Sequence, residues 1–231
     1  MNKNEYCFLK TQSVLGVLVF LFFLLSLSLG PSNLNILDFW SLGETVGNNT
    51  SWLIFFEIRL PRAILGLAVG ISLGLAGAAL QGYLRNPLAE PGVIGVSTSA
   101  SLFTVIIFYS GLSAGFALLM PLAGILGATS AVLFLQSLAG RNASALTVVL
   151  AGVAISSFSG ALISLALNFS SNPFATYEIV FWLLGSVADR GHDQVAIALP
   201  FMAIGWALLL CSGNPLDALT LGEEEATSLG Y

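Results

Sequence analysis

Residues 63–84 read AILGLAVGISLGLAGAALQGYL, an unbroken stretch without Asp, Glu, Lys or Arg. About 20 helical residues cross the hydrocarbon layer of a bilayer. This stretch is therefore enough for one crossing. Four more charge-free stretches occupy residues 11–37, 91–140, 142–177 and 194–216. The stretch 91–140 is too long for one crossing and has to turn inside itself. Tyr109-Ser110-Gly111 supplies the turn residues.

Composition agrees with this reading. Charged residues make up 8% of the 231-residue chain and hydrophobic residues 56%. Soluble domains carry about 25% charged residues. A water-exposed surface needs more polar cover than this chain holds. Mean hydropathy is +0.91. The expected fold is all-α, a polytopic transmembrane helical bundle. Its spans fall at about residues 14–29, 63–82, 93–109, 116–138, 146–167 and 195–211. The first apolar run follows Lys3 and Lys10, as in a signal peptide, but it is long and lacks a clear small-residue cleavage site. It is read as a retained span.

Breaks between spans follow local chemistry. Pro61 sits near the start of the second helix, where its missing N–H costs little. Asn86-Pro87 and Pro91-Gly92 interrupt the chain after that helix, and Arg141-Asn142 marks a later turn. The apolar run 179–184 is too short to span, so a short helix dipping into the surface is expected there. With the N-terminus in the cytoplasm, Lys3, Lys10, Arg85 and Arg141 lie inside, while Arg59, Arg62 and Arg190 lie outside. That is a narrow positive-inside bias.

Several function classes are disfavoured. A net charge of -5 does not suggest nucleic-acid binding. Cys7 and Cys211 are single and distant, giving neither a disulfide framework nor a metal site. His192 is the sole histidine and reads as a polar loop residue beside Asp189, Arg190 and Asp193. Glu178 reads as interfacial. The Asn-x-Ser/Thr triplets at Asn48, Asn49, Asn142 and Asn168 are too common a pattern to carry meaning. No Walker A pattern occurs, so any ATP-driven process needs a nucleotide-binding partner. An ion-coupled secondary transporter is the alternative, but it should show ionisable sites near the midplane. A membrane-embedded enzyme would need clustered acids, histidines or cysteines.

Two clusters of small or hydroxyl side chains stand out. Gly66, Gly70, Gly74, Ala78 and Gly82 recur every four residues and form one helical stripe. Such a stripe lets another backbone approach closely. Ordinary helix packing explains it, and a place along a transport path is the sharper alternative. Ser97, Thr98, Ser99 and Ser101 cluster in the third span, where hydroxyls commonly bond back to carbonyls of their own helix.

Three motifs in order add a family resemblance. Glu57-Ile58-Arg59-Leu60-Pro61-Arg62 leads into the second helix. Asn86-Pro87-Leu88-Ala89-Glu90-Pro91-Gly92-Val93-Ile94-Gly95-Val96-Ser97 follows it. Leu221-Gly222-Glu223-Glu224-Glu225-Ala226-Thr227-Ser228-Leu229-Gly230 lies near the end. Trp182-Leu183-Leu184-Gly185-Ser186 is a weaker fourth match. Together they resemble the permease subunits of bacterial type II ABC importers for iron–siderophores, haem and cobalamin. The resemblance implies about ten helices in a whole subunit, so residues 1–231 would form part of one permease domain. It implies a second permease subunit, an ATPase subunit and an extracytoplasmic binding protein as partners. It implies a multi-pass protein of the bacterial inner membrane, with no cofactor and no chemistry of its own. Arg59 and Arg62 match arginines that dock the binding protein. Leu221, Gly222, Glu223, Glu224, Glu225, Ala226, Leu229 and Gly230 match the ATPase-coupling region, within a cytoplasmic segment at 212–231. Asn86, Pro87, Glu90, Pro91 and Gly92 fall in a cytoplasmic loop. Iron–siderophore is the first expected ligand, with haem and cobalamin open.

Overall fold

Most helix boundaries in the computed structural model fall close to where proline, glycine and charge interrupt the apolar runs; the second helix instead runs through residues 57–62, so Pro61, expected near its start, lies inside it. The structure describes residues 3–30, 50–112, 118–140, 143–170, 173–188 and 190–230. Among these residues every regular element is helical. Helix α1 is Lys3–Ser28. Helix α2 covers residues 50–84 in three parts: an α turn Thr50–Leu53, a π segment Ile54–Arg59, and a long α segment Leu60–Leu84. A 3-10 turn, Pro91–Ile94, precedes α3, Val96–Tyr109. Then follow α4 Leu119–Ala139, α5 Ala145–Asn168, α6 Pro173–Leu183 and α7 His192–Cys211. Two short helices end the series, α8 Gly213–Leu221 and α9 Glu223–Ser228.

Among the described residues, five helices are long and apolar enough to cross a membrane: α1, α2, α4, α5 and α7. The third expected span, α3, is shorter. Its 14 residues reach about 21 Å at 1.5 Å per residue, against about 30 Å of hydrocarbon. The chain shortens α3 by spending residues 91–95 on the 3-10 turn and a left-handed Gly95. The expected turn after α3 is present, with Gly111 at φ 73°. Helix α6 is 11 residues long, too short to span, as its apolar run implied. The turn expected at Arg141-Asn142 and the polar loop 31–49 lie outside the described residues, as do Asn48, Asn49 and Asp189.

The chain divides into two compact units, Met1–Ser72 with Val187–Gly205, and Leu73–Ser186 with Trp206–Tyr231. In the first unit, α1 presents large apolar side chains almost all round; Phe20 is 61% exposed and Phe22 65%. Aqueous solvent would penalise that surface, whereas hydrocarbon accepts it.

The second unit has its core where α3, α4 and α5 meet. Val105 on α3 is 1% exposed. A Cβ at Gly127 on α4 would lie 2.5 Å from the carbonyl oxygen of Ser99, so only glycine permits this approach of α4 to α3. Ser99 and Ser159 join α3 to α5 through a buried 3.0 Å hydroxyl pair. Thr104 does bond back to its own helix, to the Ala100 carbonyl at 2.9 Å. Thr104 lies outside the cluster 97–101 that was expected to bond back; within that cluster Ser99 reaches a second helix instead. Outside the core, Tyr109 donates to the Phe169 carbonyl at 2.9 Å and ties the end of α3 to the end of α5. Ile179 of α6 is 2% exposed and packs near Thr104, Val105 and Trp182. Glu178 on the same helix is exposed.

Candidate functional site

The segment 57–62 is where the structure divides two residues that the sequence treats alike. Arg59 is 7% exposed. Its Nη1 donates to the carbonyls of Leu27 at 3.0 Å and Ser28 at 2.8 Å. These are terminal carbonyls of α1, which lack partners within their own helix. A cation at a helix C-terminus is also favoured by the helix dipole. The guanidinium lies so close to Gly30 that a Cβ there would sit 2.6 Å from Nη2. Arg59 therefore caps α1. Arg62, three residues on, is exposed and lines an open groove with Val19, Phe22 and Phe23 of α1 and Gly66 and Gly70 of α2. Of the two expected docking residues, Arg62 has the accessible charge.

The π segment itself is bound elsewhere in the first unit. His192 Nε2 lies 2.8 Å from the Phe56 carbonyl oxygen. His192 is the first residue of α7 rather than a loop residue. Its place is fixed by Gln194, whose Oε1 accepts from the Gly191 N–H at 2.8 Å. That is the returning half of a capping box.

In the second unit the motif 86–97 forms a built turn. Arg85 adopts φ 50° as α2 ends. Asn86 Oδ1 accepts from Leu88 N at 2.9 Å, and the Asn86 carbonyl accepts from Ala89 N at 3.1 Å. Ala89 is buried, whereas Glu90 is exposed. Gly95 then turns at φ 79°, a region that disfavours residues with a Cβ. Its other constraint is space. A Cβ on Gly95 would lie 2.9 Å from Ser156 N, and one on Gly152 of α5 would lie 2.7 Å from the Val93 carbonyl oxygen. The 93–95 end of the motif is thus pressed backbone to backbone against α5. Gly152 was not singled out from the sequence, where it is one glycine in an apolar helix.

The segment 221–230 forms the end of α8, a break at Gly222 with φ 131°, and α9. Ala226 is 2% exposed, while Leu221 and Leu229 are 67% and 60% exposed. Glu224 and Glu225 are exposed in the first turn of α9, where acids suit the dipole. Along the glycine stripe, a Cβ at Gly66, Gly70 or Gly74 would meet no heavy atom within 4 Å from another element among the described residues. Ala78 is exposed. Only at Gly82 does a neighbour come close, the Leu216 Cβ at 3.6 Å. No group of three or more potential metal ligands occurs among the described residues.

Long apolar helices, a span-linking turn and an acidic terminal helix define a polytopic α-helical membrane protein. The chain belongs to the FecCD transport family, whose model matches residues 18–231. It is 40% identical over 201 residues to the uncharacterised ABC transporter permease protein YvrB of Bacillus subtilis (strain 168), covering 83% of this chain and 56% of that protein. It is 38% identical over 182 residues to the vitamin B12 import system permease protein BtuC of Salmonella paratyphi A, covering 77% of this chain and 54% of that one. It is 34% identical over 228 residues to the hemin transport system permease protein HmuU of Yersinia pestis, covering 96% and 67%. Among solved structures, a metal-chelate type ABC transporter in an inward-facing conformation matches with a TM-score of 0.80 and 27% identity, over 96% of this chain and 68% of that one. The chain spans a little over half the length of the first two relatives. The family reading made from the three motifs is borne out.

Proposed function

We propose that this chain is part of the membrane-spanning permease subunit of a type II ABC importer in a bacterial inner membrane. Its ligand is a metal chelate in the broad sense: an iron–siderophore, a haem or a cobalamin. The proteins similar to it are named for vitamin B12 and hemin import and for metal-chelate transport, which supports the class and favours no single member. The observation that carries the reading is the 86–97 motif, folded as a turn locked against α5 through Gly95 and Gly152 in a chain of this family.

In this reading a binding protein delivers the ligand to the outer face, where Arg62 offers an exposed charge, and a partner ATPase engages the 221–230 segment. Nucleotide binding in the partner stabilises one helix packing over another, and this difference drives the ligand across. The exposed Leu221 and Leu229 suit a protein contact, because apolar side chains gain most when water is excluded. The open stripe at Gly66, Gly70 and Gly74 suits a further helix, from the same subunit or its partner.

Co-expression of the complete subunit with an ATPase subunit of the same importer class tests the reading. A stable complex is expected, together with ATP-dependent uptake of a metal chelate into vesicles. Uptake driven by an ion gradient without nucleotide would favour the secondary-transporter alternative instead.

A further inference from the structure

A π register forms when a backbone carbonyl accepts from the N–H five residues ahead rather than four. At the end of the segment Ile54–Arg59, Leu60 N donates to the Phe55 carbonyl, five residues back. The next carbonyl in this register is that of Phe56, and the fifth residue beyond it is Pro61. Proline has no N–H to give. Position 61 therefore gives the Phe56 carbonyl no amide in this register, and His192 Nε2 stands 2.8 Å from that oxygen. A carbonyl oxygen can only accept, so Nε2 carries the hydrogen. The neutral Nε2–H tautomer and the imidazolium both satisfy that requirement.

The geometry points to His192 as a positioning residue that replaces the absent Pro61 amide and holds the π segment in place. Two further observations fit this role. Pro61 is among the largest fully buried side chains, so its ring is packed and not incidental. His192 is held at the first position of α7 by the Gly191–Gln194 cap. His192 on Phe56 and Arg59 on the end of α1 both hold the π segment. The consequence is local and specific. An unbroken α-helix places residues three apart on one face. A π segment ending at Arg59 changes the phase of the residues before it relative to those after it. The clasp therefore fixes which way Glu57 and Arg59 point relative to Arg62. It operates whatever ligand the subunit carries, and its failure would leave the importer reading intact.

The test is backbone hydrogen–deuterium exchange across residues 54–60, read by mass spectrometry on the full chain in detergent micelles. His192→Ala should raise exchange in that window about fivefold, the scale of one net hydrogen bond. His192→Gln, which keeps a side-chain N–H, should recover at least half of the loss on a logarithmic scale. Pro61→Ala restores an N–H that reaches the Phe56 carbonyl in the π register and the Glu57 carbonyl in the α register, where Leu60 N serves Phe56. In that background His192→Ala should change exchange by less than about twofold, each ratio being taken within its own background at position 61. If the histidine effect is equally large in the Pro61→Ala background, or if His192→Ala leaves the window unchanged beside Pro61, the assignment is overturned. Should His192→Ala alone fail to fold, the Pro61→Ala pair and His192→Gln still decide it.

Discussion

Gly95 and Gly152 meet so closely that neither can carry a side chain without moving backbone: a Cβ on the first would lie 3.0 Å from the Gly152 carbonyl oxygen, and one on the second 2.7 Å from the Ile94 Cα. The contact joins the turn before α3 to the middle of α5. Gly95→Ala combines that clash with the left-handed φ of 79°. It should destabilise by about 2 kcal/mol or more. Gly152→Val should cost about 1–3 kcal/mol. Reversible unfolding in micelles measures both. A loss below about 0.5 kcal/mol at both sites, on the order of an ordinary surface change, would mean that this contact is not tight in solution.

The glycine stripe predicts a contrasting pattern. A side chain at Gly70 or Gly74 meets open space among the described residues of this chain. Gly70→Leu should therefore leave the chain's own unfolding midpoint nearly unchanged. In the complete subunit it should lower the yield of assembled transporter, because leucine holds the approaching backbone away. Size-exclusion chromatography of the assembled complex reads this. Normal assembly and transport would mean that the stripe faces lipid.

Arg59 and Arg62 should separate in the same way. Arg59→Ala removes charge-assisted bonds to the end of α1 and should destabilise by about 1.5–3 kcal/mol. Arg62→Glu should leave folding intact and weaken docking of the binding protein, with an altered salt dependence. Unfolding and docking measured on both variants distinguish the roles. Arg59→Ala with full stability and lost docking would reverse them.

Ser159→Ala should cost about 0.6 kcal/mol, typical of interhelical hydrogen bonds in membranes. The Ser99 hydroxyl can then turn back to a carbonyl of its own helix, as Thr104 already does. A double-mutant cycle with Ser99→Ala isolates the pair, and a coupling of zero would contradict the 3.0 Å contact.

Much of the fold was legible because lipid imposes a simple code. Charge-free length marks α1, α2, α4, α5 and α7, and Asn-Pro, Pro-Gly and Ser-Gly mark where the chain turns. Helix α3 came out shorter than its apolar run, because Gly95 and the 3-10 turn consume residues that hydropathy counts as span. Of the site, the three motifs were visible as strings, but their partners were not. Gly152 is one glycine among many until Val93 is placed against it. Ser99 looks like its neighbours Ser97 and Ser101 until Ser159 arrives from another helix. His192 lies 136 positions from Phe56, and no local periodicity reports a bond of that reach. Pro61 reads in the sequence as a helix-start proline, and only the helix that begins at Thr50 puts it in an interior position, where it leaves a carbonyl that needs another donor. Arg59 and Arg62 differ only in what the chain folds around them.

The account stands or falls on ATP-driven passage of a metal chelate through the complete subunit. The direct measurement is uptake of a radiolabelled iron–siderophore, haem or cobalamin into proteoliposomes holding the complete permease and its ATPase, with the binding protein outside and ATP inside. Uptake should require ATP and survive collapse of the proton and sodium gradients, and Leu221→Asp with Leu229→Asp should abolish it by detaching the ATPase. Uptake that persists without ATP and vanishes when the ion gradients collapse would contradict the account.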